Sequence, residues 1–197
     1  MSQKIVLASN NQGKLKEFHQ LLAPLGFSVH SQSEFNVPDS PEPYFTFLEN
    51  ALSKARHAAK LTGLPALADD SGICVPSLGG APGVFSARYA GEPKSDENNN
   101  QKLVMQLQGM DDRSAYYYCV LVFVRSENDP QPVIADGRWN GVFVDSPAGD
   151  GGFGYDPHFY VPEFGKTAAQ LTPLEKNGIS HRAKALQDLI QKLTQQA

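Results

Sequence analysis

The chain has 197 residues, 41% of them hydrophobic and 19% charged, and carries a formal net charge of −4. This length and balance fit one globular domain with a sizeable core, the acidic sign speaks against a broad nucleic-acid surface, and no apolar run approaches the roughly 20 residues of a membrane-spanning helix. Cys74 and Cys119 lack a CxxC or Cys/His setting and fit reduced, buried residues, while Met1-Ser2-Gln3-Lys4 leads straight into a short apolar stretch with no signal-peptide core, which predicts a cytoplasmic protein.

Residues 4–9 read as a short buried strand, Asn10-Asn11-Gln12-Gly13-Lys14 as a turn, and residues 15–22 as an amphipathic helix. A polar loop before a helix start offers unpaired N–H groups and the positive end of a helix dipole. Ser9, Asn11 and Lys14 then make a phosphate cradle, with a capped helix and a solvated lysine as the alternative. The GxxxxGK[ST] pattern of a P-loop is absent. Residues 27–31 suit a second strand, and the proline-rich residues 37–43 cannot be helical.

A long helix is expected over residues 44–61, stopped by Gly63 and Pro65, with Phe45, Leu48, Leu52, Ala55 and Ala59 as its inward stripe. Glu49 lies beside that stripe, where a carboxylate needs a metal ion, a lysine or a salt bridge such as one to Arg56. Next, an apolar strand runs into Asp69, Asp70, Ser71 and Gly72. Ligands of open α/β sheets bind beyond the carboxyl ends of strands, and acids placed there suit a hard cation. Alternation along a strand lets Asp69 and Asp70 do different jobs, and an Asx turn is the plainer explanation of the same residues.

Residues 73–78 resemble an edge strand broken by Pro76, followed by a tight loop at 79–83 and a small-residue segment at 85–91 that carries Arg88. Ser95 or Asp96 caps a helix reaching about Leu107, with Asn98, Asn99 and Asn100 as polar surface. Residues 115–124 have the strongest strand propensity, with residues 132–139 as partner through a turn at 128–130. Tyr116, Tyr117 and Tyr118 face alternate sides, which favours sheet packing over a base-stacking platform.

The glycine-rich residues 149–157 hold Phe153, Tyr155 and Asp156; glycine lets backbone approach a ligand, and a loop aromatic can stack on a purine. A flexible hairpin loop would explain the glycines but not the aromatics. A short strand at 158–161 and a helical turn at 167–171 follow. Thr172-Pro173-Leu174-Glu175 has capping-box spacing, Lys176 sits in that turn, Gly178 breaks it, and Ser180 caps a last helix with Leu186, Leu189, Ile190 and Leu193 as its buried stripe. His181 and Arg182 in the first turn oppose the helix dipole, which either an anionic or carbonyl-rich ligand or solvent exposure would accommodate. The alternation of strands and helices, without repeats or a linker, gives an α/β mixed sheet with helices packed on it.

Taken together, the segments at residues 9–14, 47–51, 68–72, 79–83 with 86–89, 152–157 and 180–182 resemble, in order and over nearly the whole chain, the inosine/xanthosine triphosphate pyrophosphatase family. The resemblance implies an elongated central mixed β-sheet flanked by helices, two lobes around a nucleotide cleft, one domain spanning residues 1–197, and a homodimer without nucleic-acid or membrane partners. It also implies a magnesium-dependent house-cleaning hydrolase that converts dITP, ITP and XTP to the monophosphate and pyrophosphate. By motif, Ser9, Asn10, Asn11, Gln12, Gly13 and Lys14 would hold the triphosphate, Glu49 and Asp70 the Mg²⁺, and Asp70 would also accept the proton of water. Ser71, Phe153, Gly154, Tyr155, Asp156, Lys176, His181 and Arg182 would bind the nucleotide. Pro76 departs from the family pattern, which has an acid there. Donors from His181 and Arg182 would suit a 6-keto purine, and adenine would leave them unpaired, a mismatch worth on the order of 10⁴-fold. Guanine shares the 6-keto group, so its rejection calls for a further contact near position 2.

Overall fold

The computed structural model describes residues 3–195. It contains a mixed seven-stranded sheet in the order β2-β1-β3-β4-β5-β6-β7, with five α-helices. The strands are β1 (Gln3–Leu7), β2 (Phe27–Ser31), β3 (Ala66–Cys74), β4 (Ser114–Val124), β5 (Val133–Phe143), β6 (Phe159–Val161) and β7 (Lys166–Thr167). The helices are α1 (Gln12–Leu22), α2 (Phe47–Thr62), α3 (Asp96–Gln106), α4 (Pro173–Ile179) and α5 (His181–Gln195). Residues divide into two compact units: unit 1 is Met1–Asp70, Val120–Asp136 and Ala185–Ala197, and unit 2 is Ser71–Cys119 and Gly137–Lys184. Among the described residues no helix is long and apolar enough to cross a membrane.

In unit 1, β1 runs parallel to both β2 and β3, and its last pairing is Leu7 with Leu67. Beyond that point β3 has lost this neighbour, so Asp69 and Asp70 lie just past the carboxyl end of β1. The chain does not turn there, as an Asx turn would require. β3 continues through Ser71 and Gly72 to Cys74, and it is an inner strand of the sheet where an edge strand was expected; only from Pro76 to Leu78 does a 3₁₀ turn break it. β4 flanks it in the sheet on the side away from β1, and Ser86 adds a contact: its Oγ accepts from Ile73 N at 2.9 Å and donates to Gly83 O at 2.6 Å, and a Cβ on Gly72 would meet both Ser86 Oγ and Gly83 O at 2.4 Å. A glycine is what allows this approach.

Helix α2 starts later than the apolar spacing predicts, and of the expected stripe Ala55 and Ala59 face inward while its first two members do not. Thr46 caps it, and Phe45 and Leu48 are exposed, whereas Asn50, Ala51, Ala55, Ala58 and Ala59 are buried. The small side chains let α2 pack closely against β1, so the stripe is set by alanines and not by the largest apolar residues. Asn99 and Asn100, expected on the surface of α3, are buried as well: Asn99 Oδ1 accepts from Ala90 N at 2.7 Å and its Nδ2 donates to Ala87 O at 3.2 Å. They satisfy backbone groups of irregular segments that no ladder reaches. Gly178 does not break α4, which runs to Ile179; Ser180 then caps α5, accepting from Ala183 N at 3.2 Å. The core of unit 2 gathers Ile73, Leu103, Tyr117, Trp139, Phe143 and Phe159. Cys74 and Cys119 are buried thiols that are not joined in a disulfide.

The turn between β4 and β5 depends on Asp129, a buried carboxylate. Its Oδ2 accepts from Arg125 N at 2.8 Å and Arg125 Nη1 at 3.1 Å, and its Oδ1 accepts from Gln131 N at 2.9 Å. Burial raises this carboxyl, but the amides and the guanidinium outweigh it and hold it below the usual carboxylate range. The stabilisation is therefore complete above the unfolded-state value of about 3.9 and fades as the pH falls through the lower folded-state value. Asp129→Asn should cost about 1–3 kcal/mol at pH 7 in urea unfolding, and the gap to wild type should close as the pH drops below about 4.

Candidate active site

Unit 1 assembles charges around the end of β1. Ser9 Oγ accepts from Asn11 N at 3.2 Å, and Asn11 Oδ1 caps α1 by accepting from Lys14 N at 3.1 Å, so the helix begins at Gln12, earlier than the spacing predicts. Asn10 Nδ2 donates to Asp39 Oδ1 at 3.0 Å, and Gly13 lies in the first turn, where a Cβ would come within 3.2 Å of Asn11 Oδ1. The side chain of Gln12 lies outside the described residues. Lys14 Nζ reaches into the site and sits 2.9 Å from Asp69 Oδ1 and 2.7 Å from Oδ2.

Asp70 points the other way and is taken by α2. Its Oδ1 is 3.1 Å from Lys54 Nζ and its Oδ2 accepts from Asn50 Nδ2 at 3.3 Å. Lys54 also pairs with Glu42 at 2.8 Å, and Asn50 holds Tyr44 by both backbone groups, at 3.1 Å to N and 3.2 Å to O. One half-buried ammonium thus joins two carboxylates, one from β3 and one from the proline-rich connection. Burial raises the Asp70 carboxyl above the usual aspartate range; Glu42 adds to the rise, and Lys54 and Asn50 oppose it. For Lys54, burial favours loss of the proton, but Asp70, Asp69 and Glu42 together outweigh it and hold the ammonium above its ordinary value.

Glu49, expected as a metal ligand, stands in the first turn of α2. Its carboxylate accepts from Thr46 Oγ1 at 2.6 Å at the start of α2, and the residue is exposed. The carboxylate linked to Asp70 through Lys54 is Glu42. The sequence assigns no site role to Glu42, Asn50 or Lys54, although Asn50 and Lys54 share a helix face at i, i+4 and Glu42 is the single acid between Pro41 and Pro43. Two carboxylate oxygens around one cation are a donor set that suits a hard divalent ion, to which substrate phosphate would add ligands. Among the described residues no group of three or more His, Cys, Asp or Glu converges, so side chains alone do not fill a coordination sphere.

Unit 2 contains a cavity of about 130 Å³ lined by Ser71, Phe153, Gly154, Tyr155, Asp156, His181 and Arg182, together with Tyr117, Asp96, Ser86, Ala87 and Gly72. Every base-side residue expected from the sequence except Lys176 is in that lining, and Lys176 is one contact away, its Nζ 2.5 Å from Asp156 Oδ2 and 5.5 Å from the centre of the Phe153 ring. Asp156 organises the glycine loop, also accepting from Phe153 N at 2.9 Å and from Tyr117 Oη at 3.3 Å. A Cβ on Gly152 would meet its Oδ2 at 2.0 Å. From α3, Asp96 accepts from Gly154 N at 2.7 Å and Asn100 Nδ2 donates to Gly154 O at 2.8 Å. Tyr155 is buried and donates to Ser86 O at 2.8 Å, while Phe153 is 58% exposed, an aromatic face left for a ligand.

The charge arrangement around Asp70 predicts two opposite shifts. Lys54→Met removes the neighbouring positive charge and should move the Asp70 carboxyl to a still higher titration point. Glu42→Gln removes a negative one and should lower it. Carboxyl ¹³C shifts of Asp70 in metal-free protein, followed against pH, measure both.

A model of the Ham1 family covers residues 5–192. A dITP/XTP pyrophosphatase of Chromobacterium violaceum is 64% identical over 193 residues, spanning 98% of this chain and 98% of that protein, and one of Ralstonia nicotianae is 63% identical over 193 residues, spanning 96% of each. Among solved structures, a HAM1 protein from Coxiella burnetii superposes with a TM-score of 0.94 at 52% identity, over 98% of this chain and 99% of that one. A nucleoside-triphosphatase described as a dITP/XTP pyrophosphatase from Mycobacterium abscessus does so with a TM-score of 0.79 at 39% identity, over 97% and 100%. With the family model matched almost from end to end and relatives near two-thirds identity, this chain belongs to the Ham1 family.

Proposed function

We propose that the protein is a house-cleaning nucleoside triphosphate pyrophosphatase that converts dITP, ITP and XTP to the monophosphate and pyrophosphate. The observation that carries the reading is the unit 2 cavity, which gathers Phe153, His181 and Arg182 from distant parts of the chain, in a protein whose relatives at 63–64% identity are named dITP/XTP pyrophosphatases. Units 1 and 2 serve one nucleotide and act as a single functional domain over residues 1–197, in the cytoplasm and as a homodimer, with no nucleic acid or membrane as partner.

In unit 2 the purine lies against Phe153 and its 6-keto oxygen accepts from His181 and Arg182, with Ser71, Gly154, Tyr155, Asp156 and Lys176 completing the nucleotide contacts. Adenine places an amino donor against those donors and is refused. In unit 1 the turn from Ser9 through Asn10, Asn11, Gln12 and Gly13 to Lys14 receives the triphosphate at the start of α1. Asp70 and Glu49 would hold Mg²⁺, with Glu42 a further carboxylate linked to Asp70 through Lys54. Bound there, Mg²⁺ would neutralise charge on the phosphates and make water a better acid. Asp70 takes the proton of the attacking water as its oxygen bonds to the α-phosphorus. The bond from that phosphorus to the bridging oxygen breaks, and pyrophosphate leaves with the electron pair. Lys14 and Lys54 oppose the charge that builds on the oxygens.

The test is product analysis on purified protein with dITP, XTP, GTP and ATP, with and without Mg²⁺. The expected result is dIMP and XMP with pyrophosphate, only when Mg²⁺ is present, and little product from ATP or GTP. Asp70→Asn should lower kcat by about 100-fold or more. Orthophosphate with nucleoside diphosphate would place attack at the γ-phosphorus and refute the scheme.

A further inference from the structure

Tyr117 on β4 does more than fill the core of unit 2. Its ring lies parallel to the His181 imidazole, with centroids 4.7 Å apart and planes 10° from parallel. Trp139 from β5 lies beside this pair and near-parallel to both, 6.4 Å from His181 at 14° and 6.2 Å from Tyr117 at 22°, and Phe159 tilts against Tyr117 at 4.7 Å. The Tyr117 hydroxyl donates to Asp156 Oδ1 at 3.3 Å. Burial first, and then the neighbouring Asp156 charge, push the phenol well above its usual range, so the hydroxyl stays a donor across the working pH. Tyr117 itself lines the cavity.

Tyr117 is thus one side chain in contact both with a proposed base-reading residue and with the carboxylate that holds Phe153 N and Lys176. An imidazole at the start of a helix can rotate about its side-chain torsions, and it reads a carbonyl oxygen only when its N–H lies near the plane of that carbonyl. A flat ring 4.7 Å away limits that rotation. We infer that Tyr117 is a positioning residue for base selection: its aromatic face fixes the plane in which His181 presents its N–H to the purine. The inference rests on the reading of His181 as a contact to the 6-keto group. It assigns the discrimination to the face of Tyr117 and the order of the glycine loop to its hydroxyl.

The experiment compares kcat/KM for dITP and dATP in wild type, Tyr117→Leu, Tyr117→Phe and His181→Ala, with thermal unfolding as a check on folding. Tyr117→Leu removes the face and should cut the dITP/dATP ratio at least tenfold, mainly through a higher KM for dITP. Tyr117→Phe restores the face and should bring the ratio back to within about threefold of wild type, the span of context dependence in such measurements. Purely structural damage would lower both substrates together and leave the ratio where it was. If Tyr117→Leu does not fold, Tyr117→Met, which keeps most of the volume without the flat face, takes its place. An unchanged ratio in the folded Leu or Met variant, or a loss in Tyr117→Phe as large as in Tyr117→Leu, overturns the inference. If His181→Ala keeps full discrimination, the base-reading role of His181 fails instead. A loss in His181→Ala with none in the Tyr117 variants refutes the positioning role alone.

Discussion

Two carboxylates buried side by side on one strand are the constraint around which unit 1 is built. Asp69 and Asp70 are 2% and 8% exposed, and an ionised carboxylate in such a place is costly unless it is paired. Alternation on β3 sends them opposite ways, and each contacts its own ammonium; Lys14 comes from α1 and Lys54 from α2. The two helices are held to the end of β1 by charge as well as by apolar packing. Buried ion pairs of this kind add little net stability over a hydrophobic replacement, while deleting one partner costs about 3–5 kcal/mol. An arrangement that is expensive to break and weak as a source of stability makes sense where chemistry needs the charges.

Unit 2 solves a different problem, that of fixing a loop with almost no core of its own. A run of glycines is entropically costly to order, and the structure answers with one buried carboxylate. Asp156 draws in Phe153 N, Lys176 and Tyr117, while Asp96 and Asn100 hold the backbone of Gly154 from α3. Because the loop is tied by hydrogen bonds, Phe153 can remain 58% exposed without the loop collapsing over it. The glycines are needed for contact: only a residue without Cβ fits at Gly152 against Asp156.

What could be read from the sequence follows from the range of the forces involved. The motifs around Lys14, Asp70, Phe153 and His181 stand where local chemistry is unusual, so their residue types alone mark them. The sheet order, the continuation of β3 past Gly72 and the buried amides of Asn99 and Asn100 depend on neighbours distant in the chain, and no local pattern encodes Ser86 as partner of Ile73. Helix α2 shows the limit most clearly. Periodicity found Ala55 and Ala59 but extended the stripe to Phe45 and Leu48, whereas close packing on β1 uses alanines, and Asn50 and Lys54, beside those alanines, reach Asp70.

The peptide bond between Asp70 and Ser71 marks a division of labour within one strand. Residues up to Asp70 belong to the unit that gathers two lysines and three carboxylates, and residues from Ser71 onward to the unit whose cavity is aromatic and hydrogen-bonding. A triphosphate looks the same on every nucleotide, so charges alone cannot tell dITP from ATP. Donors fixed by stacked rings can, because a wrong base leaves them unpaired in a place water does not easily reach. If reaction depends on both ends being held, selectivity at the base multiplies the rate at the phosphorus without altering its chemistry. The Asp156 carboxylate that ties down the glycine loop and the Lys54 bridge that joins β3 to the proline-rich connection are therefore parallel solutions: in each, one charged group converts a flexible segment into a fixed one.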